Sequence, residues 1–508
     1  MKQTTRARLS AAAVAGLWFV TPLFAQESTT QEPGAIAWPQ FRGENCSGIA
    51  GDTGQVPLEF GPDENVRWSI ELPTGHSSPC VWNDHIFLTS FEPESRRLEL
   101  WNIERSSGSV RWRRTIPANE IEKGHAAFNP ASSTPATDGD RVVAYFGSCG
   151  LVCFDFEGNQ RWAVSMPVAK TYAGNAISPI ITQDKVILYR ATYQDHYLLA
   201  VSVDTGEQVW KHEFSSRFNT AHSATGTPLV WKDQILLHSI DGVRAHSLGD
   251  GKPIWWVRAN TTATSTPVLG DDHLFVATWN QTGEPALVPQ HPDFDSLLEQ
   301  NDKNADGQLT GDELPSNMKF FYRPEGTDAP DTARPIRFTW LDKNKNGQLE
   351  RDEWEDIRRS SEEFRSGISQ HGLLAVRLGG AGDVTDSHVT VLEHQSIPEV
   401  PSPVYHNGRV YIVKNGGILA CIDTGTKERL YRQRIGTSGT HYASPILCGD
   451  RLLIASATGH VVAVDISGER PNILAKNGLG EPIAATPAVV DNMLLIRTSR
   501  RLYAIGTP

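Results

Sequence analysis

One phrase recurs eight times in this chain, and that recurrence limits what it can fold into. A small or hydroxyl residue precedes Pro, then come an apolar pair, an Asp/Asn/Gly turn and a second apolar run. The prolines are Pro79, Pro135, Pro179, Pro228, Pro267, Pro403, Pro445 and Pro487; six of the seven intervals run 39 to 56 residues, and the exception, 267 to 403, is 136. Each copy reads as strand, tight turn, strand, because the Asn/Asp/Gly pairs supply the positive φ that a hairpin needs. Pro at the start of a strand removes no ladder hydrogen bond. In the third copy two more strands follow, LLAVSV and, after Asp204-Thr205-Gly206, one carrying Trp210. Four strands per ~45 residues, repeated, is the spacing of propeller blades. The expected fold is all-β: an eight-bladed propeller with one interruption.

The repeats resemble the PQQ-like (quinoprotein-type, BamB-like) propeller family, whose signature is Ala-x-x-x-x-Thr-Gly-x-x-x-Trp. Copy three carries it as Ala200, Thr205, Gly206 and Trp210, and copy four as Ala245, Asp250, Gly251 and Trp255. Copy one keeps Ser107, Gly108 and Trp112, and copy two Gly158 and Trp162, whereas copies six and seven keep Thr424-Gly425 and Ser467-Gly468 without the Trp. The resemblance implies that this Trp packs between neighbouring blades. The last copy ends at Leu502–Ile505 without a fourth strand, and Asn65–Ile70 is a Trp-bearing strand ahead of the first Pro. The N-terminal strand is therefore expected to complete the last blade and close the ring, removing exposed sheet edges. Trp38-Pro-Gln-Phe-Arg-Gly43 looks like a segment of exported family members and reads as an apolar strap on the propeller.

The long interval holds two matches to the EF-hand calcium loop. In the first, Asp302, Asn304, Asp306, the Gln308 carbonyl and Glu313 fall at the ligand positions, with Gly307 at the bend. In the second, Asp342, Asn344, Asn346, Gln348 and Glu353 repeat the pattern around Gly347. Ca²⁺ is a hard cation that takes six to eight oxygen donors, and these residues supply them. Asn346 leaves the second loop one carboxylate poorer, so weaker binding is expected there. Leu309 and Leu349 should pair between the loops. Leu297-Leu298, Met318-Phe320-Phe321, Phe338-Trp340-Leu341 and Trp354-Ile357 read as flanking helices. The insert, 284–366, should lie in the hairpin between strands two and three of blade five, on the face where blades are linked, because hairpin tips tolerate inserted domains.

The remaining expectations concern export and chemistry. Lys2, Arg6 and Arg8 precede an apolar run from Ala11 to Val20, then Leu23-Phe24-Ala25 and polar residues. That order is a secretory signal over 1–25, and the apolar run falls short of the ~20 residues that span a bilayer. The expected organisation is a signal at 1–25, an extension at 26–65, propeller at 66–283 and 367–508, and the insert between. The protein is expected to be exported, periplasmic or extracellular, with no membrane span. A net charge of −12 argues against nucleic acid. Links into the Pro copies carry His76, His125, Asn129, Tyr172, Asn175, His222, His441 and Tyr442, either a polar ligand site at the channel mouth or ordinary loop residues. The dehydrogenases of the family commonly use a catalytic Asp, a cofactor-bound Ca²⁺ and a disulfide between adjacent Cys. Here the Cys are 46, 80, 149, 153, 421 and 448, none adjacent, although 149 and 153 could pair across a Gly turn. With no haem site, nucleophile elbow or P-loop either, no catalytic residue is assigned and PQQ is not expected. The reading is a calcium-binding propeller that binds protein partners or a small polar ligand, the alternative being a divergent PQQ-dependent oxidoreductase of alcohols or sugars.

Overall fold

The structure is a computed structural model describing residues 1, 35–51, 56–215, 224–279, 289–316, 318–322, 333–366 and 371–507. The signal expected over 1–25 and His222 lie outside these. The eight Pro copies form eight antiparallel blades. Blade one runs Cys80–Trp82, His85–Glu92, Arg97–Glu104, Val110–Ile116, and blade three Ile180–Thr182, Lys185–Ala191, His196–Ser202, Gln208–Glu213. Blade eight is made of Ala488–Val490, Met493–Arg497 and Arg501–Ile505, completed by Val66–Glu71. The N-terminal strand closes the ring as expected, with Trp68 opposite Ala504 and Ile70 opposite Leu502.

The structure explains why a hydroxyl precedes each Pro. The Ser78 amide donates to Thr134 Oγ1 at 2.9 Å and the Thr134 amide to Ser178 Oγ at 3.0 Å. Further round, Thr227 donates to Thr266, Thr266 to Ser402, Ser402 to Ser444 and Ser444 to Thr486, at 2.9–3.0 Å. All eight hydroxyl residues are buried. Pro holds the preceding residue extended, so its amide points sideways to the next blade instead of along the strand. A belt of hydrogen bonds thus joins the innermost strands at six of the eight blade junctions around the axis.

The axis itself is filled by the chain. Ala37–Trp38 pairs with Cys80–Trp82 of blade one, and the Pro39 carbonyl accepts the Thr137 amide of blade two. Arg42 Nη2 donates to the Pro403 carbonyl of blade six at 2.7 Å. Asn45 exchanges two bonds with Val230 of blade four. Ile49–Ala50 runs parallel to Ile446–Cys448 of blade seven. A segment this short reaches five blades only by crossing the channel. The apolar strap expected on the propeller thus packs along its axis as a plug, a course that local sequence could not supply because each contact is made to a distant blade.

At the outer strands the Trp docking implied by the repeats is seen. Trp162 Nε1 donates to the Val203 carbonyl at 2.9 Å, Trp210 to Leu248 at 3.1 Å, Trp112 to Phe156 at 2.7 Å and Trp68 to Arg105 at 2.8 Å, each in the following blade. The ring lies flat on the turn glycine of that blade: a Cβ on Gly206 would sit 2.8 Å from Trp162. Trp255 of blade four is different. It is fully buried and bonds Gln234 of its own blade, because blade five carries Gly382–Asp383 where the docking turn would be. In blade six Tyr431 stands in the Trp place.

Blade five pairs His273–Ala277 with Leu373–Arg377, so the chain between them leaves from the expected hairpin. Phe294–Asn301, Phe338–Leu341 and Arg351–Ser366 are helices, and Leu309 and Leu349 form a bridge. The helix expected around Met318-Phe320-Phe321 is instead a strand, Lys319–Tyr322, paired with Ala333–Pro335. A run of aromatics carries strand preference, and a partner strand is at hand to satisfy it. Leu297, Leu309, Leu341, Leu349 and Trp354 make a small separate core. Among the described residues no helix is long and apolar enough to cross a membrane.

Thr134→Val should destabilise the fold by about 1–3 kcal/mol in urea denaturation, since it leaves the buried Ser78 amide without its acceptor. Thr134→Ser should restore most of the loss.

Candidate functional site

The links between blades bring the expected polar residues together in adjacent pairs. The His76 amide donates to the Ala131 carbonyl of the next link, and Asn129 Nδ2 donates to Thr74 Oγ1 at 3.0 Å. Asn175 Nδ2 bonds Ser133 Oγ at 3.2 Å. His441 is buried, pairs through Nε2 with Thr437 Oγ1, and its amide donates to Asn415. His125 and Tyr172 are exposed and their rings lie 5.9 Å apart. Tyr442 is half-buried, and burial raises its phenol. The Asn129 and Asn175 side chains join one link to the next, while the His441 ring bonds within its own link. Burial, helped by nearby Arg497, lowers His76 to about 4, so it is neutral at pH 7.

Beneath the links sit buried charges that the sequence did not announce. Arg497 of blade eight is 1% exposed and donates to the Ser77 carbonyl and hydroxyl and the Thr89 carbonyl of blade one. Burial lowers it to about 9. Arg190 of blade three bonds Tyr145 of blade two, the Pro167 carbonyl and Asp195. Glu122 is 3% exposed, and neither carboxyl oxygen makes a directed hydrogen bond. Burial pushes it well above the usual carboxylate range, against the smaller pull of the Asn175 amide, Arg190 and the Gly147 amide. Aligning the copies would have exposed Arg497: at that place the other blades carry Thr89, Tyr145, Tyr189, His238, Ala277, Val413 and Ala455.

The two acidic loops share one geometry. Asp302 accepts from the amides of Asp306 and Gly307, and Asp342 from those of Asn346 and Gly347. Asn304, Asp306, Asn344 and Asn346 each accept an amide two residues on. Glu313 bridges the amides of Lys303 and Thr310, and Glu353 those of Lys343 and Glu350. Gly307 and Gly347 have φ of 78° and 84°, the left-handed bend these loops need. Gln308 and Gln348 occupy the positions expected to offer a backbone carbonyl. The donor set is all oxygen, which suits a hard cation. Among the described residues no three His, Cys, Asp or Glu side chains converge as a metal set.

All six cysteines are free thiols. Cys149 and Cys153 do not pair: Cys149 sits in the turn before the strand Gly150–Asp155, Cys153 within the strand, and both are free. Burial pushes both thiols up to about 12.

With this geometry in hand, comparison with known proteins is informative at the level of fold. The family described as outer membrane protein assembly factor BamB matches residues 53–288. No curated protein matches the sequence. Among solved structures, a europium-containing methanol dehydrogenase is 11% identical, covering 92% of this chain and 98% of its own, with a TM-score of 0.53. The quinohemoprotein alcohol dehydrogenase of Comamonas testosteroni is 11% identical over 93% of this chain and 81% of its own, TM-score 0.51. BamB of Moraxella catarrhalis is 14% identical over 86% and 96%, with a TM-score of 0.49 that carries no further argument.

Because Glu122 is held above its unfolded pKa, its neutral form belongs to the fold. Its stabilising share is whole at low pH and is lost as pH rises through the folded pKa. Glu122→Gln should therefore raise Tm relative to the parent more at pH 8 than at pH 5, read by thermal melts across that range.

Proposed function

We propose that this propeller of PQQ-like, BamB-like repeats works as an exported, calcium-binding scaffold that binds a protein partner or a small polar ligand, without catalysis of its own. The observation that carries the reading is the plug: residues 37–50 fill the axis and are tied to five blades. That leaves the link face and the blade edges as the working surface. Two further facts support it. The link side chains of Asn129, Asn175 and His441 are spent on internal hydrogen bonds. The thiols are raised by burial, which keeps them protonated and inert. The name of the matching family, an assembly factor, fits a scaffold.

Calcium, in this reading, sits in the loops at 302–313 and 342–353. Binding would pull Glu313 and Glu353 off the backbone amides they now cap and onto the ion. Exported proteins meet abundant Ca²⁺, so the pair is read as structural, folding the insert rather than switching it. Titration calorimetry should resolve two sites, the weaker at the loop with Asn346 and abolished by Glu353→Gln. Equal or reversed affinities would contradict the ordering, and unchanged circular dichroism in chelator would contradict the structural role.

The second reading, a quinone-dependent oxidoreductase, draws on the two dehydrogenase neighbours, which speak for fold alone at 11% identity. Adding PQQ and Ca²⁺ distinguishes the two. The scaffold predicts no stoichiometric visible chromophore and no dye reduction with alcohols or sugars. Capture of a specific partner from the exported fraction, with and without calcium, supplies the positive test.

A further inference from the structure

We propose that the links into blades two and three together hold a phosphorylated ring, a sugar phosphate or a mononucleotide, with Lys123 and Lys170 on the phosphate and His125 and Tyr172 on the ring. The inference deepens the reading above by naming the chemistry of the small polar ligand, and it rests on that reading.

The two links run side by side. They form a parallel bridge at Lys123 and Lys170. Two residues further on, the rings of His125 and Tyr172 lie 5.9 Å apart, tilted by 42°. Alternation along extended chain puts these four side chains on one side, and all four residues are exposed. Glu122 and Thr171, next to the lysines in the chain, turn inward. Glu122 is 3% exposed, and the Thr171 hydroxyl oxygen is buried without a hydrogen-bond partner. The arrangement is a short ladder with a cationic pair followed by a pair of rings.

Like charges set opposite each other repel. Lys185, Lys211, Lys252 and Lys343 each meet a carboxylate of the chain. Among the described residues Lys123 and Lys170 form no such ion pair, although they face each other across the bridge. Glu122 does not relieve them, because burial favours its uncharged form. A phosphomonoester carries about −1.5 to −2 at pH 7, which matches two ammonium groups. Chains paired this way lie ~4.8 Å apart, so two flexible lysines can reach the oxygens of one phosphate. A single carboxylate would leave one lysine unbalanced.

The platform is held from below. The Glu122 amide donates to Ser148 Oγ at 3.0 Å and the Ala169 amide to the Gly147 carbonyl at 2.7 Å, which pins both links to one hairpin of blade two. The Tyr193 amide of blade three donates to the Lys170 carbonyl at 2.9 Å. Phe128 packs on Gly174 so closely that no Cβ fits there. His125 Nδ1 accepts the Ala127 amide at 3.3 Å, so the proton of the neutral ring sits on Nε2, where it can be donated to a ligand. Tyr172 is 45% exposed and offers an apolar ring with a polar tip, a surface suited to the face of a sugar or a base.

Calorimetric titration of the full-length protein tests this with glucose 1-phosphate and uridine 5′-monophosphate, set beside inorganic phosphate, glucose and uridine. At least one phosphorylated ring should bind about tenfold or more tighter than inorganic phosphate and than its own unphosphorylated ring, and more weakly as salt rises. The tighter of the two identifies the source as sugar or nucleotide. Lys123→Gln with Lys170→Gln should weaken that binding at least about tenfold. Tyr172→Ala should weaken it several-fold and leave inorganic phosphate unchanged. Inorganic phosphate binding as tightly as both probes means an adventitious ion only and overturns the proposal, as does binding that the lysine variant leaves untouched. The wild-type comparisons decide even where a variant folds poorly. If neither probe binds while a protein partner is captured from the exported fraction, the ligand site falls and the scaffold reading stands.

Discussion

The ring leans on one small interaction, seen at six of its eight blade junctions: the bond from the amide of a pre-proline residue to the hydroxyl of the pre-proline residue in the next blade. A buried amide without an acceptor costs ~1–3 kcal/mol. A ring of eight blades multiplies that liability at its most crowded place. Ser or Thr at every copy removes it, and Pro removes the donor that would otherwise come next. What remains there are proline carbonyls, and the axial segment uses two of them: Pro403 takes Arg42 and Pro228 faces Cys46. The plug is in this sense a consequence of the belt, since the belt leaves acceptors that only another piece of chain can reach.

Inner and outer layers of the ring obey different tolerances. The belt bonds are kept on both sides of blade five in spite of its insert. Trp docking does not. It holds from blade eight into one, and on through two and three into four, then fails where blade five replaces the docking turn with Gly382–Asp383. Trp255 loses its carbonyl partner in the next blade yet is fully buried, because the added strand covers it. Near the axis the pre-proline hydroxyls are buried in every copy. At the rim a tyrosine or a borrowed strand fills the same volume.

The repeat was legible because it imposes period, turn chemistry and spacing at once, and the closing strand followed from counting what blade eight lacked. The hairpin bearing the insert followed from strand order in the same way. The axial course of Trp38–Gly43 was not legible: its partners in the blades lie 41 to 361 residues away, and nothing in its own pattern names them. The strand Lys319–Tyr322 was misread because its aromatic spacing suits either period, and only the nearby Ala333–Pro335 decides. Glu122 and Arg190 escaped notice for another reason. Charged residues are read as solvent-facing by default, and the pressure that buries these two is set by the neighbouring blade.

The distribution of charge shows where electrostatics can act in such a molecule. Residues 284–366 hold 11 Lys and Arg against 19 acids, which makes −8 of the total −12. The ring itself is close to neutral. Charges in water are screened over ~8 Å at physiological salt, so anything laid on the rim of a blade senses the side chains of that strand and little of the insert. Net charge then says what the chain as a whole repels and little about what any one blade edge meets. The acidity of the sequence is in this sense a local property of the insert, and each blade keeps the electrostatic character of its own strands.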